Sequence, residues 1–181
     1  MTVQASTVTS MYDLAVSLRD VIAQAMATTV GGPPDREYIS LGEPAWDTMC
    51  SYAVVQVPTL TEGQTGPGQP PEQIGMRHFR GRVNLVGLTG YAIRCVQVSD
   101  DNQQVFSVPS DAQLDLEAQT AYEDGWAVWN LITRLLNDDL LFSGPCGIVH
   151  FDGGQAVTPS GGLGGWRFTL RVELGGYDPR S

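Results

Sequence analysis

Cys146, His150 and Asp152 lie within seven residues and supply the side-chain types of a nucleophile, a base and an orienting acid. Their spacing defeats that reading. On a strand the three share a face, but the first and last stand roughly 20 Å apart at 3.3 Å per residue. Cys146 and His150 cannot hydrogen-bond from one strand, so the ordinary reading is the start of a strand. Metal binding fares no better. His78 and His150 are the only histidines, and no C-x-x-C or H-x-x-x-H pair exists. The three cysteines, Cys50, Cys95 and Cys146, are an odd count in a chain without a secretory signal, which reads as reduced and mostly buried thiols. Gly161 to Gly165 is glycine-rich but lacks the Lys-Ser/Thr and the following helix of a phosphate loop. It reads as a hairpin tip. No catalytic, cofactor or metal residue is assigned.

The one basic cluster is Arg77, His78, Arg80 and Arg82. Arg80 and Arg82 share a strand face. Three readings stay open: a nucleic-acid contact, ion pairing with an acidic edge of a neighbouring copy, and a solvated strand face. Trp126 and Trp129 sit on a helical pattern and read as core before they read as a ligand box.

The elements that must carry these residues are clearest at the end of the chain. Trp166, Phe168, Leu170, Val172 and Leu174 alternate without error with Arg167, Thr169, Arg171 and Glu173. Such alternation predicts a strand with one buried and one wet face. Its cover is expected to be the helix opened by Ser110-x-x-Gln113, a capping box after Pro109. Leu114, Ala118, Ala121, Tyr122, Gly125, Trp126, Val128, Trp129, Ile132, Leu135 and Leu136 form its apolar stripe. A first helix is predicted from about Ser10 to Thr28, stopped by Gly31-Gly32-Pro33-Pro34. Short strands follow at Tyr38 to Leu41 and from Cys50 to Val57, ended by Pro58. Thr59 to Gly75 is rich in Gly, Pro, Gln, Thr and Glu, and is read as a long exposed loop reaching a neighbouring subunit. The stretch from Arg77 to Val98 is either one long bent strand, the favoured reading, or a hairpin near Gly87 to Gly90. Cys146 to Phe151 and the final strand form a hairpin. The expectation is a single α+β domain over residues 1–181. Its mainly antiparallel sheet has one face covered by the long helix and an N-terminal helix.

Composition narrows the class. The chain has 181 residues, 42% of them apolar, enough for one real core. All ten basic residues are Arg against 20 acids, for a net charge of −10. A codon bias of GC-rich genomes accounts for the missing Lys; the competing reading is selection of Arg for bidentate interface pairing. The acidity argues against nonspecific nucleic-acid binding, which depends on neutralising phosphates. No run approaches a membrane span, and the polar start from Met1 to Ser10 has no signal-peptide pattern, so a cytoplasmic location is expected.

From Tyr12 to Leu174 the layout resembles the tail terminator family of long-tailed (siphovirus-type) bacteriophages, in versions from phages of actinobacteria. The resemblance rests on element order and short stretches. These are Gly42-Glu43-Pro44-Ala45-Trp46-Asp47 with Cys50 opening a strand, and Ile93-Arg94-Cys95-Val96 before an Asp-rich turn. Tyr122-Glu123-Asp124-Gly125-Trp126-Ala127-Val128-Trp129 lies within the long helix, and Gly161-Gly162-Leu163-Gly164-Gly165-Trp166 leads into the last strand. What it implies is a structural virion protein without enzymatic activity or cofactor. Its copies form a hexameric ring that caps the tail tube and receives the head-completion proteins, with DNA passing through the lumen. Assembly would take place in the host cytoplasm. Six copies at −10 each would carry about −60, a charge that repels DNA and lets it slip past. In such a ring, Arg77, Arg80, Arg82, Glu62 and Glu72 are the expected subunit contacts, since they lie in and beside the Thr59 to Gly75 loop. Other readings are a connector or stopper of the neck, a tube-related subunit, or a small cysteine-dependent enzyme using Cys146 and His150.

Overall fold

Leu14, Leu18, Ile22 and Met26 recur every four residues, and each is fully buried on α1 (Met11–Met26). At about 1.5–3 kcal/mol per buried side chain, this row anchors the helix more firmly than its propensity does. The computed structural model describes residues 11–46, 49–62, 84–96, 110–142, 146–160 and 162–174. After α1 come β1 (Arg36–Ser40), β2 (Ser51–Glu62), β3 (Asn84–Cys95), α2 (Asp111–Asn137), β4 (Cys146–Ser160) and β5 (Leu163–Leu174).

The strands form one sheet in the order β1-β2-β3-β5-β4. Only β1 and β2 run parallel; the other three pairings are antiparallel. Both helices lie on one face, α1 against β1, β2 and β3, and α2 against β3, β4 and β5. The fold is α+β, as the alternation pattern required. Phe168, Leu170 and Val172 are fully buried beneath the helices, whereas Arg167 and Arg171 are exposed on the opposite face.

Several sequence expectations change. Pro58 does not end β2, which continues to Glu62 through a register irregularity between Gln56 and Thr59. The irregularity accommodates the missing N–H of proline, as bulges do. β3 is one strand that passes through Gly87 and Gly90, so the hairpin alternative is wrong. At Gly90 a methyl group would collide with Ile22; the missing side chain lets α1 sit close on the sheet. β4 runs past Asp152-Gly153-Gly154 to Ser160, with three register shifts along it.

The second sheet face is not uniformly wet. Tyr52, Val54 and Ile93 form a second buried cluster there, bordered by Tyr38, Tyr91, Val157 and Leu163. The cause is the β1–β2 connection. Parallel neighbours require a crossover, and this one, residues 41–50, is too short to hold a helix. Trp46, within this connection, lies on the outer face instead, edge-on to Tyr52 and Tyr91 at centroid distances of 5.4 and 6.0 Å. The Tyr38 hydroxyl donates to Ala45 O (2.6 Å), and that of Tyr91 donates to Gln56 (2.9 Å). Burial raises the pKa of both phenols.

Candidate interaction surface

The long helix is built in two unlike halves. Its start is fixed locally: Ser110 accepts from Gln113 N, and the Gln113 side chain accepts in turn from Ser110 N at 2.9 Å. From Gly125 onward it is a core helix, with Val128, Leu131, Ile132 and Leu135 buried. The first half, Asp111 to Glu123, contains no buried residue. Leu114, Leu116, Tyr122 and Trp126 are 45%, 57%, 61% and 56% exposed. The expectation that Trp126 and Trp129 are core is therefore wrong for Trp126. It holds only partly for Trp129, which leans on Phe151 at 4.9 Å with its other side exposed. The apolar stripe is real, but only its second half is buried.

The division falls at Asp124, which is 1% exposed. Its carboxylate accepts from Arg94 Nε (2.5 Å) and Nη2 (3.2 Å) and from the Thr29 hydroxyl (2.5 Å). Arg94 also donates to Gly31 O (2.8 Å) and Gly32 O (2.7 Å), the carbonyls that follow α1. One bidentate pair thus ties the end of α1, the end of β3 and the middle of α2 together. Such a pair repays its desolvation only when the remaining donors are satisfied, and here they are. Next to it, Gly125 lies against the Trp166 indole with no room for a methyl group. In the sequence Asp124 is one acid among several on this helix. The signal that it was something more is its place beside Gly125 inside an apolar stripe.

Between the first half of α2 and the tip of the β4–β5 hairpin lies an open groove of about 340 Å³. Leu114, Ala118, Tyr122, Val96, Val157 and Trp166 line it, with Glu117 at its rim. An exposed groove with aromatic and aliphatic walls and one acid at its rim has the chemistry of a protein-binding surface.

The cysteines depart from expectation. Cys50 and Cys95 are exposed, face each other across β2 and β3 with Cα atoms 4.6 Å apart, and form a disulfide. They sit one step beyond the Ser51–Arg94 pair, and Cys95 N donates to Cys50 O at 2.6 Å. The reading as buried, separate thiols fails because the strand register brings the two sulfurs together at an exposed position. Cys146 opens β4 opposite Leu174. His150 is exposed opposite Arg171, and Asp152 is ion-paired with Arg171 at 2.6 Å, which raises the arginine pKa. His150, directly opposite Arg171, and Asp152, ion-paired with it, lie on one face of the sheet, as the strand period predicts. Among the described residues no group of three potential metal ligands occurs, and no helix is long and apolar enough to cross a membrane.

Of the expected subunit contacts, Glu62 is the last residue of β2, paired through its backbone with Asn84 at the start of β3. Arg77, Arg80, Arg82 and Glu72 lie outside the described residues, as does the Thr59 to Gly75 loop beyond Glu62. The chain matches no protein-family model and no curated protein.

Proposed function

We propose that the protein is a structural subunit of a phage tail, not an enzyme. Its copies form a ring, hexameric by resemblance, that caps the tail tube and joins it to the head-completion proteins of the neck. Genomic DNA passes through the lumen without sequence-specific binding. The observation that carries this reading is the first half of α2. A half-helix that leaves three large apolar side chains exposed, Leu114, Leu116 and Tyr122, beside an open apolar groove is arranged for a protein partner. The net charge of −10 supports a lumen that DNA passes without sticking. The resemblance to tail terminators supplies the identity of the partners: copies of the same chain, the tube protein and the connector.

The test is direct. Purified protein is expected to form rings seen in negative stain and to bind isolated tail tubes at one end. Rings that bind capsid connectors but not tubes would favour a neck stopper instead. A chain that neither self-associates nor binds tubes contradicts the proposal.

A further inference from the structure

The chain connects β2 to β3 at the Glu62–Asn84 end, and their ladder runs from there to the Ser51–Arg94 pair. One step past that last pair stand Cys50 and Cys95, both exposed and bonded to each other. The open end of a ladder is where strands fray first, because few contacts close it. The disulfide is the clasp of that end. Neither cysteine belongs to the buried clusters of the core, so the packing of the helices on the sheet does not run through the bond.

The residues on each side of the clasp are held by other means. The Asp35 carboxylate accepts from Cys50 N (3.2 Å) and from the Ser51 hydroxyl (2.9 Å). Arg94 is anchored by Asp124, Gly31 O and Gly32 O. Past the clasp comes Val96. It lines the groove with Tyr122 and Trp166, and its N–H donates to Gly162 O (2.7 Å) at the hairpin tip. The third cysteine cannot intervene. Cys146 pairs with Leu174, and Leu174 with Asn84. Asn84 and Cys95 are the two ends of β3, roughly 36 Å apart at 3.3 Å per residue. Within one chain the bond is therefore closed or open, with no third sulfur to exchange into.

We infer that Cys50–Cys95 is a reversible exchange site for small thiols and disulfides, and that its state decides whether Val96 stands as a wall of the groove. In opening, a small thiolate attacks one cysteine sulfur and expels the other as a thiolate. A second small thiolate attacks the small-molecule sulfur of the mixed disulfide and releases the remaining cysteine. Two small thiols leave as one disulfide, and their two protons pass to Cys50 and Cys95. Closing runs the same steps in reverse, with a small disulfide as oxidant. Such attack requires access, and both cysteines are exposed. Once open, Cys95 and Val96 are free beyond the Arg94 anchor, and the groove loses that wall. Once closed, the wall is set in advance, which spares a partner the cost of ordering it. The switch does not depend on the ring; it acts on the groove whatever protein fills it.

The test uses the folded full chain in mixtures of reduced and oxidised glutathione, without denaturant. Rapid alkylation and mass give the fraction of open bonds, and amide NMR follows the structure. The bond should open and close reversibly with the glutathione ratio. On opening, amide signals should move at residues 49–51, 94–96 and 162–166 and keep their positions over 125–137. Exchange of the Val96 amide with solvent should quicken at least tenfold. Cys146→Ser should keep the whole response, whereas Cys50→Ser and Cys95→Ser should each hold Val96 in rapid exchange at every ratio. A bond that opens only when the chain unfolds overturns the exchange site. Opening that leaves Val96 and Gly162 unmoved, or that moves residues 125–137 as far as residues 94–96, overturns its control of the groove. These outcomes leave the ring untouched, since that is judged by binding to tail tubes.

Discussion

The two halves of α2 share one helix, one capping box and one apolar stripe, yet they do different work. From Asp124 to Asn137 the stripe meets α1, β3 and β5, and the residues that face inward are buried. From Asp111 to Glu123 the same periodicity continues with nothing buried beneath it. The contrast shows that hydrophobic periodicity reports a face that requires a partner, without saying whether that partner is in the same chain. The Arg94–Asp124 pair marks the boundary. Before it no residue of the helix is buried, and after it the inward-facing residues are core.

The largest effect should come from that boundary. Asp124→Ala leaves Arg94 partly buried without its carboxylate and should cost about 3–5 kcal/mol, read as a lower midpoint in denaturant with an unchanged slope. An effect below 1 kcal/mol would mean that the pair does not fasten the buried half. Next is the disulfide that holds the Arg94 end of β3. Its two cysteines are 45 residues apart in sequence, and Cys50→Ser should lower stability by about 2–4 kcal/mol under oxidising conditions. With reductant present, wild type and variant should melt together. Gly125→Ala comes third. A solvent-exposed helical glycine is improved by alanine, but here the methyl group meets Trp166, so the change should destabilise by about 1–3 kcal/mol. A rise in melting temperature would show that α2 stands farther from β5. The smallest effect on stability belongs to the outer half. Leu116→Ala should change the unfolding free energy by no more than about 0.5 kcal/mol, while reducing the assembled fraction in sedimentation.

Much of the frame was legible. The final strand, the capping box at Ser110 and the α1 stripe are local signals, and local physics decides them. What was hidden depends on distant chain segments. Nothing near Trp126 shows that its side chain stays exposed while Gly125 beside it packs on Trp166. Cys50 and Cys95 meet because two strands separated by a long excursion pair in one register, which composition cannot reveal. Asp124 looked like any acid in a helix because its partner, Arg94, lies 30 residues away on another element. Pro58 misled because a proline reads as a strand breaker until a bulge accommodates it. For the candidate site, the sequence showed the apolar stripe but not the groove beside it, which is made from α2, the hairpin tip and Val96 and comes together only in the fold.

The central claim is that the first half of α2 is a surface for a second copy. Amide hydrogen exchange measured across a concentration series tests it most directly. The account predicts that residues 111–123 exchange rapidly in dilute protein and become protected as assembly proceeds, while residues 125–137 are protected throughout. Slow exchange over residues 111–123 in the dilute monomer, or rapid exchange there in the full assembly, would contradict it.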